Sequence, residues 1–306
     1  MDSYVKKILV IGDKGQLGSE LIKQSMASDM HLIRASDSSL DITNHNECLR
    51  HLDRLSPDYI INAAAYTAVD AAEKNQQQAF LVNGQAPKTL AEWCHQSGSF
   101  LCHISTDYVF SGKKSLYKAY TEDEKTDPAS VYGQSKLQGE INIAAAMPNN
   151  YAILRTAWLY GFYGNNFLKT MLKLTLANPD RQFKVVSDQF GSPTSTIALS
   201  RLVGSLINSI SSNANDKAVS GFFHATSSGH CSWYDFACEF FRLMNIPHNL
   251  VPCSTQEYPT DASRPVNSIL ENKRFHDMEF NDFNNWQEDL RVFIDRHGDD
   301  LLKELG

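Results

Sequence analysis

The chain alternates short apolar runs with segments whose apolar residues recur at helical spacing. It begins with the run VKKILVIG, which predicts a strand, followed by GQLGSELIKQSM, where Leu17, Leu21 and Ile22 define one face of a helix. Further strands are predicted at HLIRAS, DYIINAAA, FLCHIST and YAILRTAWLYG, with a long helix at QAFLVNGQAPKTLAEWCHQSG. Strands that alternate with helices favour a parallel sheet covered on both faces.

The rhythm changes after Gly161, where helical patterns dominate. They lie at NNFLKTMLKLTLA, TIALSRLVGSLINSI and SWYDFACEFFRLMN, and an amphipathic tail runs from Trp286 to Leu305. The whole pattern predicts an α/β fold: a doubly wound, Rossmann-type parallel sheet with a smaller, interleaved C-terminal α/β substrate domain. We assign residues 1–157 and 195–219 to the nucleotide-binding domain, and residues 158–194 and 220–306 to the substrate domain.

Composition and charge exclude several classes of protein. The chain has 306 residues, of which 42% are hydrophobic, and a formal net charge of −7, so no nucleic-acid partner is expected. No apolar run approaches the ~18 residues of a membrane span, and the first apolar run is too short for a signal peptide. Six scattered cysteines form no C-x-x-C pair, which argues against a zinc site or a disulfide framework. We therefore expect a reduced, cytoplasmic protein with no membrane partner.

Three glycines, at positions 12, 15 and 18 of VIGDKGQLG, follow the first predicted strand directly and open the first predicted helix. Such glycines permit a sharp turn, close approach of a pyrophosphate to the backbone, and tight helix–strand packing. The helix N-terminus adds unpaired N–H groups and the positive end of the helix dipole. This pattern predicts a dinucleotide site. The small residues Ala63, Ala64 and Ala65 after the third strand would let a flat ring or a ribose lie against the backbone, although a tight turn explains them equally well.

The end of the second predicted strand bears on the choice of nicotinamide cofactor. An acidic residue there bonds the ribose 2′-hydroxyl and repels a 2′-phosphate. Here the stretch reads LIRASDSSLDI, so Arg34 and Ser36 share one face of the strand, while Asp37 lies one position later. The pattern favours NADPH, with NADH as the alternative if Asp37 turns toward the ribose.

A catalytic pair is predicted in VYGQSKLQGE, where Tyr132 and Lys136 are four residues apart. Residues at this spacing share one face of a helix. A lysine ammonium beside a phenol lowers the pKa of the phenol, which suits the tyrosine to general acid–base catalysis. The pair alone is a weak signal and needs a third group. Ser105, Thr106 and Asp107 end a predicted strand, where doubly wound folds bind ligands, although these residue types also favour ordinary turns.

Together these features resemble the extended form of the short-chain dehydrogenase/reductase superfamily. The segments AAYTAVDAAE, STDYVFSG, VYGQSKLQGE, RTAWLYG, NNFLKTMLK, SDQFGSPT and ASRPVNS follow the order and spacing of the dTDP-4-dehydrorhamnose reductase family over almost the whole chain. The resemblance implies NAD(P)H-dependent reduction of the 4-keto group of dTDP-4-dehydro-6-deoxy-L-mannose (dTDP-4-dehydro-L-rhamnose) to give dTDP-L-rhamnose. It implies a dTDP-sugar substrate bound by the smaller domain, and it leaves a homodimer open.

The resemblance also assigns a role to each matching residue. Tyr132 resembles the proton donor to the sugar O4, Lys136 the group that lowers its pKa and binds the nicotinamide ribose, and Thr106 the hydroxyl that polarises the carbonyl. Cofactor contacts are implied for the matching loop positions, which are Gly15, Gln16, Leu17, Asp41, Ile42, Ala65, Tyr66 and Thr67. Substrate contacts are implied for Asp107 and Trp158.

Arg264 and Asn166 are two further candidate substrate contacts. Each of them, and Trp158 as well, also has a purely structural explanation. A guanidinium suits a diphosphate, so Arg264 is a candidate ligand, although it would equally suit a cap on the tail helix. Asn166 is either a sugar contact or the N-cap of the following helix. Trp158 offers its indole either to a sugar ring or to the core.

The chain departs from the family pattern at two places. The acidic residue that the family carries at the end of the second strand falls on Ser36, which favours the phosphorylated cofactor. Some members hold a magnesium ion between subunits with two glutamates. Glu20 matches the first of these, but the second falls on Ile197, so no metal site is predicted.

Three functions compete at this point. The first is the reductase, including a reductase of another nucleotide-linked 4-keto-deoxysugar. The second is a sugar-nucleotide dehydratase or epimerase, but the dehydratases carry an acidic pair after the catalytic threonine, and Tyr108 occupies the second position here. The third is a non-catalytic regulatory relative, similar to the regulatory subunit of methionine adenosyltransferase. The set of Thr106, Tyr132 and Lys136 favours chemistry.

Overall fold

A parallel sheet forms the centre of the computed structural model, which describes residues 5–23, 30–36, 39–212, 219–280 and 283–305. The strands of the described residues, in this sheet and elsewhere, are β1 (Lys6–Ile11), β2 (Met30–Ala35), β3 (Tyr59–Asn62), β4 (Phe100–Thr106), β5 (Tyr151–Thr156), β6 (Leu159–Tyr160), β7 (Phe183–Val186), β8 (Phe190–Gly191), β9 (Thr194–Ser195), β10 (Gly221–His224), β11 (Cys231–Ser232) and β12 (Leu250–Cys253). Six of them pair in the order β2-β1-β3-β4-β5-β10, and every pairing is parallel. The predicted doubly wound sheet is confirmed.

Helices cover the sheet and build the smaller unit. They are α1 (Gln16–Lys23), α2 (His45–Leu55), α3 (Val69–Lys74), α4 (Gln76–Phe80), α5 (Ala86–Ser97), α6 (Val131–Ala146), α7 (Phe167–Ala177), α8 (Thr196–Ser211), α9 (Trp233–Met244), α10 (Lys273–Asp277) and α11 (Trp286–Leu305). A π-helical turn at Leu81–Gln85 joins α4 to α5. Within the described residues, no helix is both long and apolar enough to cross a membrane.

The two faces of the sheet bury different cores, because successive side chains of a strand point to opposite faces. Ile8 and Val10 of β1 belong to a cluster that also contains buried residues of α1 and α8. Leu9 and Ile11 belong to a second cluster, which takes in buried residues of α2, α5 and α6. The continuous apolar runs of the strands follow from this burial on both sides.

The smaller unit packs around α7, α9 and α11. Its core includes Leu172, Phe236, Phe240 and Phe293. A capping box fixes the start of α9, since Ser232 accepts a hydrogen bond from the backbone of Asp235 and the Asp235 carboxylate accepts one from the backbone of Ser232. Short strand pairs, β6–β9, β7–β12 and β8–β11, join its segments.

The predicted domain limits stay a prediction, and one detail of the topology bears on them. Strand β10 completes the large sheet by pairing with β5, although it falls within residues 220–306, which we assigned to the substrate domain. Phe275 of α10 is buried in the same cluster as Phe223 of β10. The return to the large sheet therefore extends beyond the segment 195–219.

Candidate active site

The glycine-rich turn lies between β1 and α1 and is closed against the backbone. Gly12 has a φ of +81°, and a Cβ there would stand 2.8 Å from the amide nitrogen of Ala64. A Cβ on Gly18 would stand 2.1 Å from the carbonyl oxygen of Gly12, so only glycine fits either position. The turn thus brings the first helix end and the loop after β3 together, while the cofactor contacts of these residues stay a prediction.

This turn fits the phosphates of a dinucleotide. Helix α1 begins at Gln16, directly after Gly15, so its first N–H groups lack intrahelical acceptors. The side chain of Leu17 is buried in the core, which leaves its backbone N–H for a phosphate. Beside the turn, Oδ1 of the buried Asp13 has no hydrogen-bond partner among the described residues, and such an acceptor suits a ribose hydroxyl.

Arg34 lies beside this turn, where Asp13 holds it. Its Nε donates to Asp13 Oδ2 at 3.1 Å, while the Arg34 side chain stays 61% exposed. The backbone N–H of Ser36 donates to the Ser39 hydroxyl at 2.9 Å. Asp37, the competing acid, lies outside the described residues. Sequence reasoning missed Asp13, although it stands within the glycine motif itself.

The predicted adenine contacts follow β2. Asp41 Oδ1 accepts hydrogen bonds from the backbone and hydroxyl of Thr43, at 2.9 and 2.6 Å, and these bonds hold the pKa of Asp41 below its usual value. Ile42 is buried in the core beneath it. The carboxylate is therefore fixed by its own turn, and its role toward the cofactor stays a prediction.

The loop after β3 is clamped by Asn83, which the sequence analysis missed. Its Oδ1 accepts from the backbone N–H of Tyr66 at 2.8 Å, and its Nδ2 donates to the carbonyl of Tyr66 and to the hydroxyl of Ser135. Asn83 lies in the π-helical turn between α4 and α5, and such turns often mark functional sites. The clamp holds the loop of Ala65, Tyr66 and Thr67 against α6.

Thr106 ends β4, and its hydroxyl connects two predicted site residues. The hydroxyl donates to Asp107 Oδ1 at 2.9 Å, and its position beside Tyr132 opposes the rise in that phenol's pKa. Asp107 is 2% exposed, and burial raises the pKa of its carboxyl to about 6. Hydrogen bonds from the hydroxyls of Ser268 and Thr106 lower the pKa and offset part of this rise. Three of the predicted residues are thus in contact.

Helix α6 begins where Tyr132 meets this strand end. Ser130 caps the helix by accepting from the N–H of Gly133 at 3.2 Å. Gly133 is required there, because a Cβ would stand 2.3 Å from the carbonyl oxygen of Tyr108. The rings of Tyr108 and Tyr132 meet edge to face, with 5.5 Å between their centroids.

The electrostatics of the Tyr132–Lys136 pair differ from the prediction. Burial raises the pKa of Tyr132 to about 12, whereas we expected Lys136 to lower it. Lys136 Nζ donates to the carbonyl of Ile104 at 2.6 Å and lies 3.3 Å from His103 Nε2. Burial also lowers the pKa of Lys136 to about 8. The lysine shares the predicted helix face, but the nearest partners of its amine are on β4.

The predicted substrate residues lie on the smaller unit and its junction. Trp158 has a φ of +46° and stacks on Trp233, with parallel rings 3.5 Å apart. A Cβ on Gly191 would stand 2.4 Å from the indole, so Gly191 leaves room for it. Trp158 has a strained backbone and is partly buried. Both features occur at ligand-facing positions as well as in cores, so its role stays a prediction.

Asn166 and Arg264 each have a defined partner. Asn166 caps α7 by accepting from the N–H of Lys169, as its structural alternative predicted, and its amide also donates to Gln16 Oε1 at 3.2 Å. Arg264 Nη2 pairs with Asp70 Oδ2 at 2.6 Å, and its buried Nη1 has no partner among the described residues. Arg264 therefore braces α3, and not the tail helix.

Glu20 matches a metal ligand of the family, and here its carboxyl faces an arginine. Glu20 lies 3.5 Å from Arg296 Nη1, and burial raises the pKa of its carboxyl. Ile197 lies on α8. In the part of the chain that the structure describes, no three His, Cys, Asp or Glu side chains are grouped to hold a metal ion.

The fold, and the contact of a strand-end threonine with a helical tyrosine four residues before a lysine, define an oxidoreductase of the short-chain dehydrogenase/reductase class. A family model described as the RmlD substrate binding domain matches residues 6–298, and the chain belongs to this family.

Three relatives are similar over nearly the whole chain. A dTDP-4-dehydrorhamnose reductase from Clostridium acetobutylicum is 40% identical, with a TM-score of 0.88, and the match covers 95% of this chain and 99% of that one. A dTDP-4-dehydrorhamnose reductase from Bacillus anthracis, solved in complex with NADP, is 34% identical with a TM-score of 0.87 and the same coverage. A probable dTDP-4,6-dihydroxy-2-methyloxan-3-one 4-ketoreductase from Streptomyces antibioticus is 35% identical over 92% of each chain. The predicted family and enzyme class are confirmed.

Proposed function

We propose that the chain reduces the 4-keto group of dTDP-4-dehydro-6-deoxy-L-mannose to give dTDP-L-rhamnose, with NADPH as its preferred reductant. The observation that carries the proposal is the junction of β4 and α6, where the Thr106 hydroxyl lies beside Tyr132 and the Lys136 amine bonds the carbonyl of Ile104. The names of the similar reductases, and the NADP in one of their structures, support the substrate and the cofactor.

A nicotinamide dinucleotide would be held by the turn of Gly12 and Gly15, by the N-terminus of α1 and by Arg34, and it supplies the hydride. The side chains of this chain handle the proton and the orientation. Thr106 orients the carbonyl oxygen through its hydroxyl, and Tyr132 gives that oxygen a proton. At neutral pH the phenol is protonated, because burial raises its pKa to about 12. A protonated phenol is the form that an acid catalyst needs in the direction of reduction.

The positive charge of Lys136 stabilises the product of proton transfer from Tyr132. Loss of the proton leaves a phenolate on Tyr132, and a nearby ammonium stabilises that anion. With a pKa of about 8, Lys136 is mostly charged at neutral pH and loses this charge in mild alkali. On the sugar side, the indole of Trp158 offers an apolar face, while Arg264 offers its unpaired Nη1 to a diphosphate.

Replacing Tyr132 by Phe tests the proposal. The phenyl ring keeps the packing and removes only the transferable proton, so turnover of NADPH with the 4-keto sugar nucleotide should fall by ~10²–10⁴-fold. Cofactor binding, followed by quenching of protein fluorescence, should be unchanged. Tyr151→Phe is the matched control, because Tyr151 is a buried tyrosine on β5 in the core, and its loss should leave turnover unchanged. A loss of less than tenfold in Tyr132→Phe would refute the proton-donor role.

A second candidate is the reduction of a different dTDP-linked 4-keto sugar. The observation that favours it is the 35% identity to the Streptomyces antibioticus protein, over 92% of each chain. Offering the purified enzyme both 4-keto sugars and identifying each product by NMR separates the two. A kcat/KM at least tenfold higher for the other sugar would replace the first candidate.

A further inference from the structure

We propose that His103 is a positioning residue for Lys136: Asn62 fixes the tautomer of its imidazole, which then directs an N–H at the lysine amine. Asn62 and His103 lie on adjacent strands, and both are fully buried. The arrangement itself does not depend on the substrate. Its effect on catalysis rests on the proposed function.

The orientation of the Asn62 amide follows from its two neighbours. The backbone N–H of Ala64 lies 3.2 Å from Oδ1, and a donor can only face the oxygen. The amide NH₂ therefore faces His103 Nδ1, at 3.1 Å. Because the NH₂ group only donates, Nδ1 must accept, and the single proton of a neutral imidazole must be on Nε2.

The Nε2–H then faces Lys136 Nζ at 3.3 Å. A neutral lysine amine satisfies this geometry, because its lone pair accepts from Nε2–H while one of its N–H groups donates to the Ile104 carbonyl at 2.6 Å. An ammonium has no lone pair and would set a donor against a donor. The imidazole therefore favours the uncharged amine and opposes the ammonium, which predominates at neutral pH.

Other ionisable groups near Lys136 also influence the charge states of the lysine and of His103. On α6 itself, Tyr132 is one turn before Lys136, and the charge of Glu140 raises the pKa of Lys136. Glu140 is already engaged by Arg155 of β5 at 2.7 Å. Burial and the charge of Lys136 keep the pKa of His103 well below its usual value, so the imidazole stays neutral.

The same amide links the lysine to the glycine turn. Asn62 holds the backbone of Ala64, and Ala64 is the residue that leaves no room for a Cβ on Gly12. A continuous chain of contacts thus runs from the turn, through Asn62 and His103, to Lys136.

NMR of the whole chain, labelled with ¹⁵N-histidine and free of cofactor, tests the tautomer directly. His103 should show a protonated Nε2 and an unprotonated Nδ1 that do not change between about pH 5 and about pH 9, the range in which an ordinary histidine titrates. The variant His103→Gln assigns the signal by its loss. A His103 that titrates in this range, or that carries its proton on Nδ1, would overturn the proposal.

The substitution Asn62→Asp tests the effect on Lys136. A carboxylate accepts from Ala64 and from Nδ1–H, which moves the imidazole proton to Nδ1 and turns Nε2 into an acceptor for the ammonium. The pKa of Lys136, followed by the ¹³Cε shift in ¹³C-lysine protein and assigned with Lys136→Arg, should rise by about one to two units. The alkaline limb of kcat/KM should move upward with it.

The double variant Asn62→Asp/His103→Gln is the matched control for the added carboxylate charge. It has the new charge but no imidazole, so its Lys136 pKa should rise by less than half as much. An equal rise in the double variant would mean that charge alone acts, and the proposal would fall. The tautomer measurement on the wild-type protein needs no variant to fold and no substrate. If the tautomer is as proposed but the 4-keto sugar is not reduced, only the proposed function is refuted.

Discussion

Glu140 and Arg155 form a buried ion pair behind the candidate active site, and its removal should be costly. Arg155 Nε lies 3.0 Å from Glu140 Oε1, and Nη2 lies 2.7 Å from Oε2, which is a bidentate contact. The Ser105 hydroxyl donates to Oε1 at 2.6 Å. The Arg155 side chain is only 4% exposed and the Glu140 side chain only 1%, so water cannot replace a lost partner.

The size of the effect follows from this burial. Glu140→Gln or Arg155→Met each leaves one buried charge without its counterion, which costs roughly 3–5 kcal/mol of unfolding free energy. With a urea m-value of about 3 kcal/mol/M, expected for a chain larger than a small domain, the unfolding midpoint should fall by about 1–1.7 M. The double variant leaves no unpaired charge and should lose less than the sum of the single variants, by about 0.5–3 kcal/mol.

Urea unfolding, followed by circular dichroism, measures these midpoints. Lys303→Met is the control, because Lys303 pairs with Asp300 on the exposed surface of α11, where an ion pair contributes little, and the midpoint should not move. Single-variant losses that simply add in the double variant would refute the reasoning. Glu140→Gln also removes a charge that raises the pKa of Lys136, so its alkaline activity limb should move to lower pH.

Four further predictions concern activity. Lys136→Met should weaken cofactor binding and turnover together and remove the alkaline limb of the pH–rate profile near pH 8. An unchanged pH–rate profile with unchanged cofactor affinity would contradict its role. Arg34→Ala should lower kcat/KM for NADPH by ~10- to 150-fold and leave NADH nearly unchanged, because one charge-assisted hydrogen bond to the 2′-phosphate is lost; equal losses for both cofactors would count against it. Trp158→Ala should raise KM for the sugar nucleotide more than it changes the Kd of the cofactor, whereas equal losses of both affinities and of thermal stability would mark a core residue. The kcat/KM profile of the wild type should fall below about pH 6, where the buried carboxyl of Asp107 gains its proton, and above about pH 8, where the buried amine of Lys136 loses its proton; a flat profile across this range would exclude both groups.

Local patterns predicted the sheet well, because each of its first five strands is a short apolar run ended by turn residues. They also predicted the glycine turn, since the spacing of Gly12, Gly15 and Gly18 reflects contacts within one strand–turn–helix unit. What they missed depends on residues far apart in the chain. Asn62 and His103 are 41 positions apart, and His103 and Lys136 are 33 positions apart, so nothing in either local sequence reveals the contact.

The predicted pKa of Tyr132 failed for a different reason. Helical spacing places Tyr132 and Lys136 on one face, but it does not fix where a long lysine side chain ends. The carbonyl of Ile104 offers Nζ a hydrogen bond at 2.6 Å, and burial then dominates the titration of the phenol. Rotamers and desolvation are properties of the packed structure, and they cannot be predicted from the spacing of residues in the sequence.

The order of synthesis has a consequence for how this chain folds in the cell. The sixth strand of the large sheet, β10, is made only after α7 and the short strands β6 to β9, and it pairs with β5, some seventy positions earlier in the chain. Phe275 of α10, made later still, packs against Phe223 of that strand. Until residues 219–280 have emerged from the ribosome, the chain presents β5 as an open, apolar sheet edge, which is a target for chaperones and for aggregation. Pausing of translation just before this segment should therefore lower the yield of folded protein.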